Sequence, residues 1–184
     1  MKIAVICASY RSNSNSEILA DAFIKGAIEA GHEVNKIELK KNKLAPCLGC
    51  EYCRQHDHQC FQKDDADHII QTIIDSDIFV FATPVYFYSL PAQLKMLIDR
   101  FFAREYEIKE AKKRKQAYLI LTAGTNDQSQ TIGTVESFRG FIKVLRTVDE
   151  GGIIYGLNLL SKGQAKDSPF YQEAYEMAKA LKDS

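Results

Sequence analysis

Ile3-Ala4-Val5-Ile6-Cys7-Ala8 runs without a break into Ser9-Tyr10-Arg11-Ser12-Asn13-Ser14-Asn15-Ser16, and this junction decides the fold. The opening residues are apolar and suit a short strand covered on both faces. Beyond the polar stretch, Ile18, Leu19, Ala22 and Phe23 recur at helical spacing. That predicts a helix from about Ser14 to Ala30, stopped by Gly31. Strand, hydroxyl-rich turn and helix in this order build an anion site. The helix start offers backbone N–H groups that lack acceptors, together with the positive end of a dipole. Serine hydroxyls add donors, and Arg11 adds a planar fork suited to phosphate. The turn contains no glycine, so it follows neither the P-loop pattern nor the G-x-G-x-x-G dinucleotide turn. Ser14-x-x-Glu17 also reads as an ordinary capping box, which requires no ligand. The surplus of donors over the needs of one cap favours phosphate.

Outward from this junction, apolar runs alternate with helical patterns. Val34, Ile37 and Leu39 mark a second strand, and a cysteine-rich loop follows from Pro46 to Lys63. Asp64 or Asp65 caps a helix carrying Ile69, Ile70, Ile73 and Ile74. Strand three is Ile78–Ala82, apolar at nearly every position. A helix from about Pro91 to Arg104, strand four at Ala117–Thr122, a helix around Val135–Val148, strand five at Ile153–Leu159 and a helix from Pro169 to about Leu181 complete the series. Strands alternating with helices predict an α/β fold, a parallel sheet with helices on both sides. No internal repeat or linker interrupts the 184 residues, so a single domain spanning 1–184 is expected. Ligands in such folds sit beyond the carboxyl ends of the strands, where the winding reverses.

Two further strand-end loops bear on that region. Thr83-Pro84-Val85-Tyr86-Phe87-Tyr88-Ser89-Leu90-Pro91 is apolar, aromatic and stiffened by two prolines. It suits a flat heterocycle, a subunit interface, or both. Thr122-Ala123-Gly124-Thr125-Asn126-Asp127 is small and polar, open to close approach of a ligand or simply a surface turn. In the strand order 2-1-3-4-5 the three loops lie side by side. A phosphate site beside a flat apolar shelf suggests a mononucleotide with a broad ring system.

Charge narrows the partners. The 24 basic and 24 acidic side chains leave no formal net charge, which argues against nucleic acid as the main partner. The basic run Lys112-Lys113-Arg114-Lys115 reads as a solvated connector. No apolar run approaches the roughly 20 residues a membrane span requires. With no signal peptide in view, a cytoplasmic protein is expected, whose five cysteines are thiols, metal ligands or redox groups.

Three motifs in order carry a family resemblance. Ala8-Ser9-Tyr10-Arg11-Ser12-Asn13-Ser14-Asn15-Ser16 resembles a G-S-P-R-x-x-S-N-T phosphate turn. Thr83-Pro84-Val85-Tyr86 with Ala92-Gln93-Leu94-Lys95-Met96-Leu97-Ile98-Asp99-Arg100 resembles S-P-V-Y…A-Q-L-K-x-L-I-D-R. Pro46-Cys47-Leu48-Gly49-Cys50-Glu51-Tyr52-Cys53 with Cys60 and Asp64-Asp65 resembles P-C-x-G-C-x-x-C…C…D-D. The pattern is that of the flavodoxin-like NAD(P)H-dependent FMN reductases, including the iron–sulfur flavoproteins. It covers about the first 125 residues. The resemblance implies a flavodoxin-like three-layer sandwich, bound FMN, NAD(P)H as a transient co-substrate, and a small acceptor such as free flavin, a quinone, or a nitro or azo compound. By position it implies that Ser9, Arg11, Ser14, Asn15 and Ser16 hold the phosphate. Pro84, Val85, Tyr86, Phe87 and Tyr88 would border the isoalloxazine, with Thr122 and Gly124 at its other edge. Tyr10 stands where proline is common, and Ala8 and Tyr88 where glycine is common.

Chemistry on the flavin asks for no protein acid or base. His32, His56, His58 and His68 lie off the three loops and are read as surface residues. Cys47-x2-Cys50-x2-Cys53-x6-Cys60 suits a [4Fe–4S] cluster, a zinc site, a redox disulfide or plain thiols, with His56 and His58 as substitute ligands. Cys7, inside strand one, is expected in the core. An FMN-dependent oxidoreductase leads the readings, ahead of an iron–sulfur electron carrier and of a flavin-binding protein without turnover. Zero net charge counts against a flavodoxin-type carrier, since such carriers dock by charge. The aromatic shelf would otherwise be wet, so a homodimer or homotetramer is expected.

Overall fold

The computed structural model describes residues 1–182. Its sheet comprises β1 (Lys2–Cys7), β2 (Glu33–Glu38), β3 (Ile78–Pro84), β4 (Lys115–Thr122) and β5 (Val148–Gly156), in the order β2-β1-β3-β4-β5. All four pairings are parallel. The helices are α1 (Asn15–Glu29), α2 (Tyr52–Gln55), α3 (Ala66–Asp75), α4 (Ala92–Arg100), α5 (Glu105–Lys109), α6 (Ile132–Leu145) and α7 (Pro169–Lys179).

Alternation along the strands sends side chains into two cores. Ile3, Val5, Ile78, Val80 and Ile120 face Leu19 and Phe23 of α1 and Ala174 and Ala178 of α7. Ala4, Ile6, Phe79, Phe81 and Leu119 face Ile69 and Ile73 of α3, Leu94 and Leu97 of α4, and Phe138 of α6. Phe81 and Phe141 stack at 5.7 Å. A fully buried side chain of this size contributes about 1.5–3 kcal/mol, so these layers supply most of the driving force. Cys7 belongs to the core, and burial pushes its thiol up to about 12. Among the described residues no helix is long and apolar enough to cross a membrane.

The expected topology is observed, with local differences at several elements. The strand expected at Ile153–Leu159 instead starts at Val148 and ends at Gly156. Its first half is polar and is strand because Val148, Asp149 and Glu150 pair with Lys115, Gln116 and Ala117. Arg114 and Arg139 hold the Asp149 and Glu150 carboxylates at 2.6 and 2.8 Å, so an exposed edge strand tolerates those charges. The helix expected to reach Arg104 stops at Arg100, tightens into a 3-10 turn at Phe101–Ala103 and resumes as α5. This leaves Phe101 buried against Phe141 at 5.0 Å. His32 is a correction: it is buried, with Nδ1 3.4 Å from the Met1 amino group and Nε2 3.3 Å from the Leu181 carbonyl oxygen.

Candidate functional site

The reversal of winding between β1 and β3 opens a cleft at the carboxyl ends of the strands. At one end the chain leaves β1 through Ser9, which is 3% exposed, and its Oγ accepts from the Arg11 N–H at 3.2 Å. Ser14 caps α1 by accepting the Glu17 N–H at 3.2 Å, while its carbonyl accepts the Ile18 N–H at 3.0 Å. Ser9 accepts one bond and still has its hydroxyl proton to donate. The first-turn N–H groups of α1 have no acceptor within the helix. Glu17 does not complete a capping box. Its carboxylate pairs with Lys40 at 3.0 Å and Lys36 at 3.5 Å, which neutralises a negative charge beside the helix start. Arg11 is exposed on the rim and makes no ion pair among the described residues.

Two members of the expected phosphate set are committed elsewhere. The Asn15 amide donates to the carbonyls of Leu159 and Ser161 at 3.0 and 2.9 Å, and its Oδ1 accepts the Ala165 N–H at 3.1 Å. Its side chain ties the loop after β5 to α1 and has no donor left for an anion. Ser16 is 1% exposed, lies behind Ser14 with their oxygens 3.4 Å apart, and does not line the cleft.

The opposite wall is apolar. Pro84 ends β3, the Val85 N–H donates to the Thr122 carbonyl at 2.8 Å, and Tyr86 lines the cleft. The chain then reverses in a two-residue turn. Tyr86 and Ser89 exchange backbone bonds of 3.0 Å in each direction. Phe87 and Tyr88 between them have φ of 47° and 64°. Positive φ at both central residues is the geometry that favours Asn-Gly, so two bulky aromatics sit there under strain. Phe87 is 100% exposed and Tyr88 61%, and neither lines the cleft. Phe87 and Tyr88, both expected beside the ring, thus stand outside the cleft that Tyr86 lines.

Thr122 and Gly124 line the cleft, with Ala123 between them. The fourth side was missed at the level of sequence. Leu159, Leu160 and Lys162 line the cleft from the loop after β5. That loop is stitched to the β4 end by the Leu159 N–H to the Ala123 carbonyl at 2.9 Å and the Asn158 N–H to the Thr125 carbonyl at 2.7 Å. Gly124 admits it closely, because a Cβ there would lie 2.9 Å from Leu160 Cδ1. The missed signal was Lys162, a cation shortly after an apolar run at a strand end.

The resulting open cleft has a volume of about 180 Å³. Hydroxyls, helix-start amides and Arg11 gather at one end, and apolar groups at the other. This donor set fits a ligand with a phosphate tail and a flat apolar body.

The cysteine loop lies elsewhere. Its stem is tied: the Lys43 N–H donates to Asp65 at 2.6 Å and the Ala45 N–H to Asp64 at 2.8 Å. Arg100, 3% exposed, reaches Asp64 at 2.6 Å and the Ala45 carbonyl at 3.0 Å. Past the stem Cys47 and Cys50 are exposed, Cys53 and Cys60 half-buried, and all four are free thiols. Burial, with the Cys60 and Cys47 charges nearby, raises the Cys53 pKa. Among the described residues no three His, Cys, Asp or Glu side chains come together as a metal-binding group. The expected ligand set of Cys47, Cys50, Cys53 and Cys60 is therefore not assembled in this conformation. The backbone is left-handed at Glu51, Asp57 and His58; His56 stacks on Tyr52 at 3.6 Å, and His58 meets Tyr106 in a tilted contact at 4.0 Å.

The chain is similar in sequence and in fold to known proteins. The profile of the NADPH-dependent FMN reductase family matches residues 1–149. An iron–sulfur flavoprotein of Methanosarcina thermophila is 31% identical over 187 residues, covering 100% of this chain and 94% of its own. The putative NAD(P)H-dependent FMN-containing oxidoreductase YwqN of Bacillus subtilis is 32% identical, covering 75% of each chain. The azoreductase AzrA superposes with a TM-score of 0.72 over 98% of this chain and 100% of its own, at 16% identity, which speaks for the fold alone. The chain spans about half the length of other curated relatives it matches, 45% and 51% for iron–sulfur flavoproteins of Archaeoglobus fulgidus and Methanocaldococcus jannaschii. By its matching profile, its full-length relative and its sheet order, this chain belongs to the NADPH-dependent FMN reductase family.

Proposed function

We propose that the cleft holds FMN and that the protein passes hydride from NAD(P)H, through that flavin, to a small acceptor such as free flavin, a quinone, or a nitro or azo compound. The observation that carries this reading is the meeting of an anion locus and an apolar wall in one cleft. Bound FMN would supply the hydride chemistry. The chain's own part is to bind and orient. Ser9 and Ser14 hydroxyls, the α1 amides and Arg11 hold the phosphate tail, and Lys162 adds a second cation on the same rim. Pro84, Val85 and Tyr86 form one side, and Thr122, Gly124 and Leu160 the other, keeping water from the ring. The cleft is open, so donor and acceptor can use it in turn.

The test is to titrate the purified chain with FMN and follow NADPH and NADH oxidation with a quinone or free FMN. FMN-loaded protein that oxidises neither nucleotide ends the enzyme reading. Arg11→Ala is expected to weaken FMN binding by about 1.5–3 kcal/mol, roughly 10- to 150-fold in Kd. An unchanged Kd removes Arg11 from the phosphate site.

A second reading, an electron-transfer protein with a [4Fe–4S] cluster in the 47–60 loop, draws on the name of the full-length relative and on four thiols within that loop. Iron and acid-labile sulfide in anaerobically purified protein decide it. Free thiols fit a cytoplasmic setting. A homodimer or homotetramer is supported by the fully exposed Phe87 and by an apolar groove of about 340 Å³ along Leu90, Ile98, Phe102, Phe141 and Val144. A monomer in light scattering overturns that.

A further inference from the structure

The Phe87-Tyr88 turn requires an explanation, because strained backbone persists only where its surroundings hold it. Upstream, Val85 is bonded to β4; downstream, Pro91 leads into α4. The third restraint comes from α6, far along the chain. A Cβ on Gly133 would lie 2.3 Å from the Tyr88 carbonyl oxygen and 3.4 Å from its carbon. Real Cβ contacts do not reach that distance, and the atom in the way is backbone, which cannot swing aside like a side chain. Gly133 sits in the first turn of α6, where alanine would favour the helix more. Gly140, in the same helix, has open space around its position, so the helix itself gives no reason for glycine at 133.

We propose that Gly133 is a positioning residue of the cleft: its missing methyl seats the Tyr88 carbonyl, which fixes the turn and with it the Tyr86 ring. The proposal rests on the function proposed above, since it concerns the wall that acceptor and flavin would share. The chain of contacts is short. Tyr86 is bonded across the turn to Ser89, so a displaced Tyr88 carbonyl moves both turn bonds and the cleft-lining residue at their foot. At φ 64° glycine adapts without strain and tyrosine does not, so this chain depends on an external seat for the turn.

The experiment compares G133A, G140A and the double variant G133A/Y88G in the full chain. Chymotrypsin cleavage after Phe87, followed by mass spectrometry without added cofactor, reads the turn directly. G133A is expected to be cut about tenfold faster than wild type and G140A at the wild-type rate, since cleavage tracks local opening. With saturating FMN and a quinone, the acceptor KM of G133A is expected to rise about tenfold while kcat stays within about twofold, a split that a general loss of stability does not produce. If G133A fails to fold, the double variant carries the test, because glycine at 88 lets the turn yield. Recovery of folded protein supports the seat, and a double variant no better folded than G133A overturns it. G133A matching G140A in both assays also overturns it, as does faster cleavage with unchanged KM, which would detach the turn from the cleft. Wild type that binds no FMN defeats the proposed function, while the cleavage comparison still decides the seat.

Discussion

Asp64→Ala is expected to destabilise the protein by about 3–5 kcal/mol, because it strands a buried guanidinium. Arg100 is 3% exposed and its charged partner is Asp64, 2.6 Å away. Asp64 also accepts the N–H groups of Ala45 at 2.8 Å and Ala66 at 3.1 Å, so one carboxylate joins both ends of the cysteine loop to α4. Removing it opens three bonds together. At about 2–4 °C per kcal/mol for a chain of this size, the melting temperature should fall by about 6–20 °C. Asp64→Asn keeps the shape and one acceptor and should lose less. Thiol labelling of Cys53 and Cys60 should accelerate in Asp64→Ala, since the loop loses its stem. Wild-type melting and labelling behaviour in that variant would show that the pair is a surface ornament.

The same carboxylate gives a pH signature. Burial alone would raise the Asp64 pKa, but hydrogen bonds from Arg100, Ala45 and Ala66 outweigh it and hold it below the usual carboxylate range. A depressed folded value means stability that is present above the unfolded pKa of about 4 and lost as pH falls through the folded one. The difference between wild type and Asp64→Ala should therefore be full at neutral pH and shrink below about pH 4. Denaturant midpoints measured across that range check it, and a constant difference would contradict the assignment.

Asn15→Ala should be the next most damaging change, at about 2–4 kcal/mol. It leaves the Leu159 and Ser161 carbonyls and the Ala165 N–H without their side-chain partner. Asn15→Asp should be no milder, because it turns the amide that faces two carbonyls into an acceptor. A volume argument would rank the two substitutions the other way. The consequence for the cleft is specific. Leu160 and Lys162 stand on the loop that Asn15 holds, so FMN binding should weaken even though the Asn15 side chain has no donor to offer. Hydrogen exchange over residues 157–165 should accelerate in both variants. Protected amides there would mean that the loop holds itself.

Much of this was legible in the chain. Runs such as Ile78–Ala82 read as strands covered on both sides, and the alternation of strands with helices made the parallel order β2-β1-β3-β4-β5 the expected one. That Ser9, Arg11 and Ser14 come together at the end of β1, where they line the cleft, was legible because strand-to-helix junctions are local and their residues are neighbours in sequence. Other assignments fell short where a residue's role depends on a distant partner. Asn15 reads as one more donor in a polar turn until residues 159–165 come back over it, some 150 positions later.

Local chemistry therefore decided the strands, the helices and the place where an anion could bind, since apolar periodicity and free helix-start amides are written in adjacent residues. Packing between distant segments decided the rest. Leu157–Leu159 is apolar enough to be strand, yet β4 ends at Thr122 and its paired stretch of β5 ends at Gly156, so the run leaves the sheet; Leu157 packs on the core and Leu159 joins the wall of the cleft. Phe87 and Tyr88 are hydrophobic enough to be buried, yet a turn backed by Gly133 holds them outward. Which of two equally suitable side chains meets the ligand depends on the direction its backbone is held, and that direction is set by contacts made across the fold.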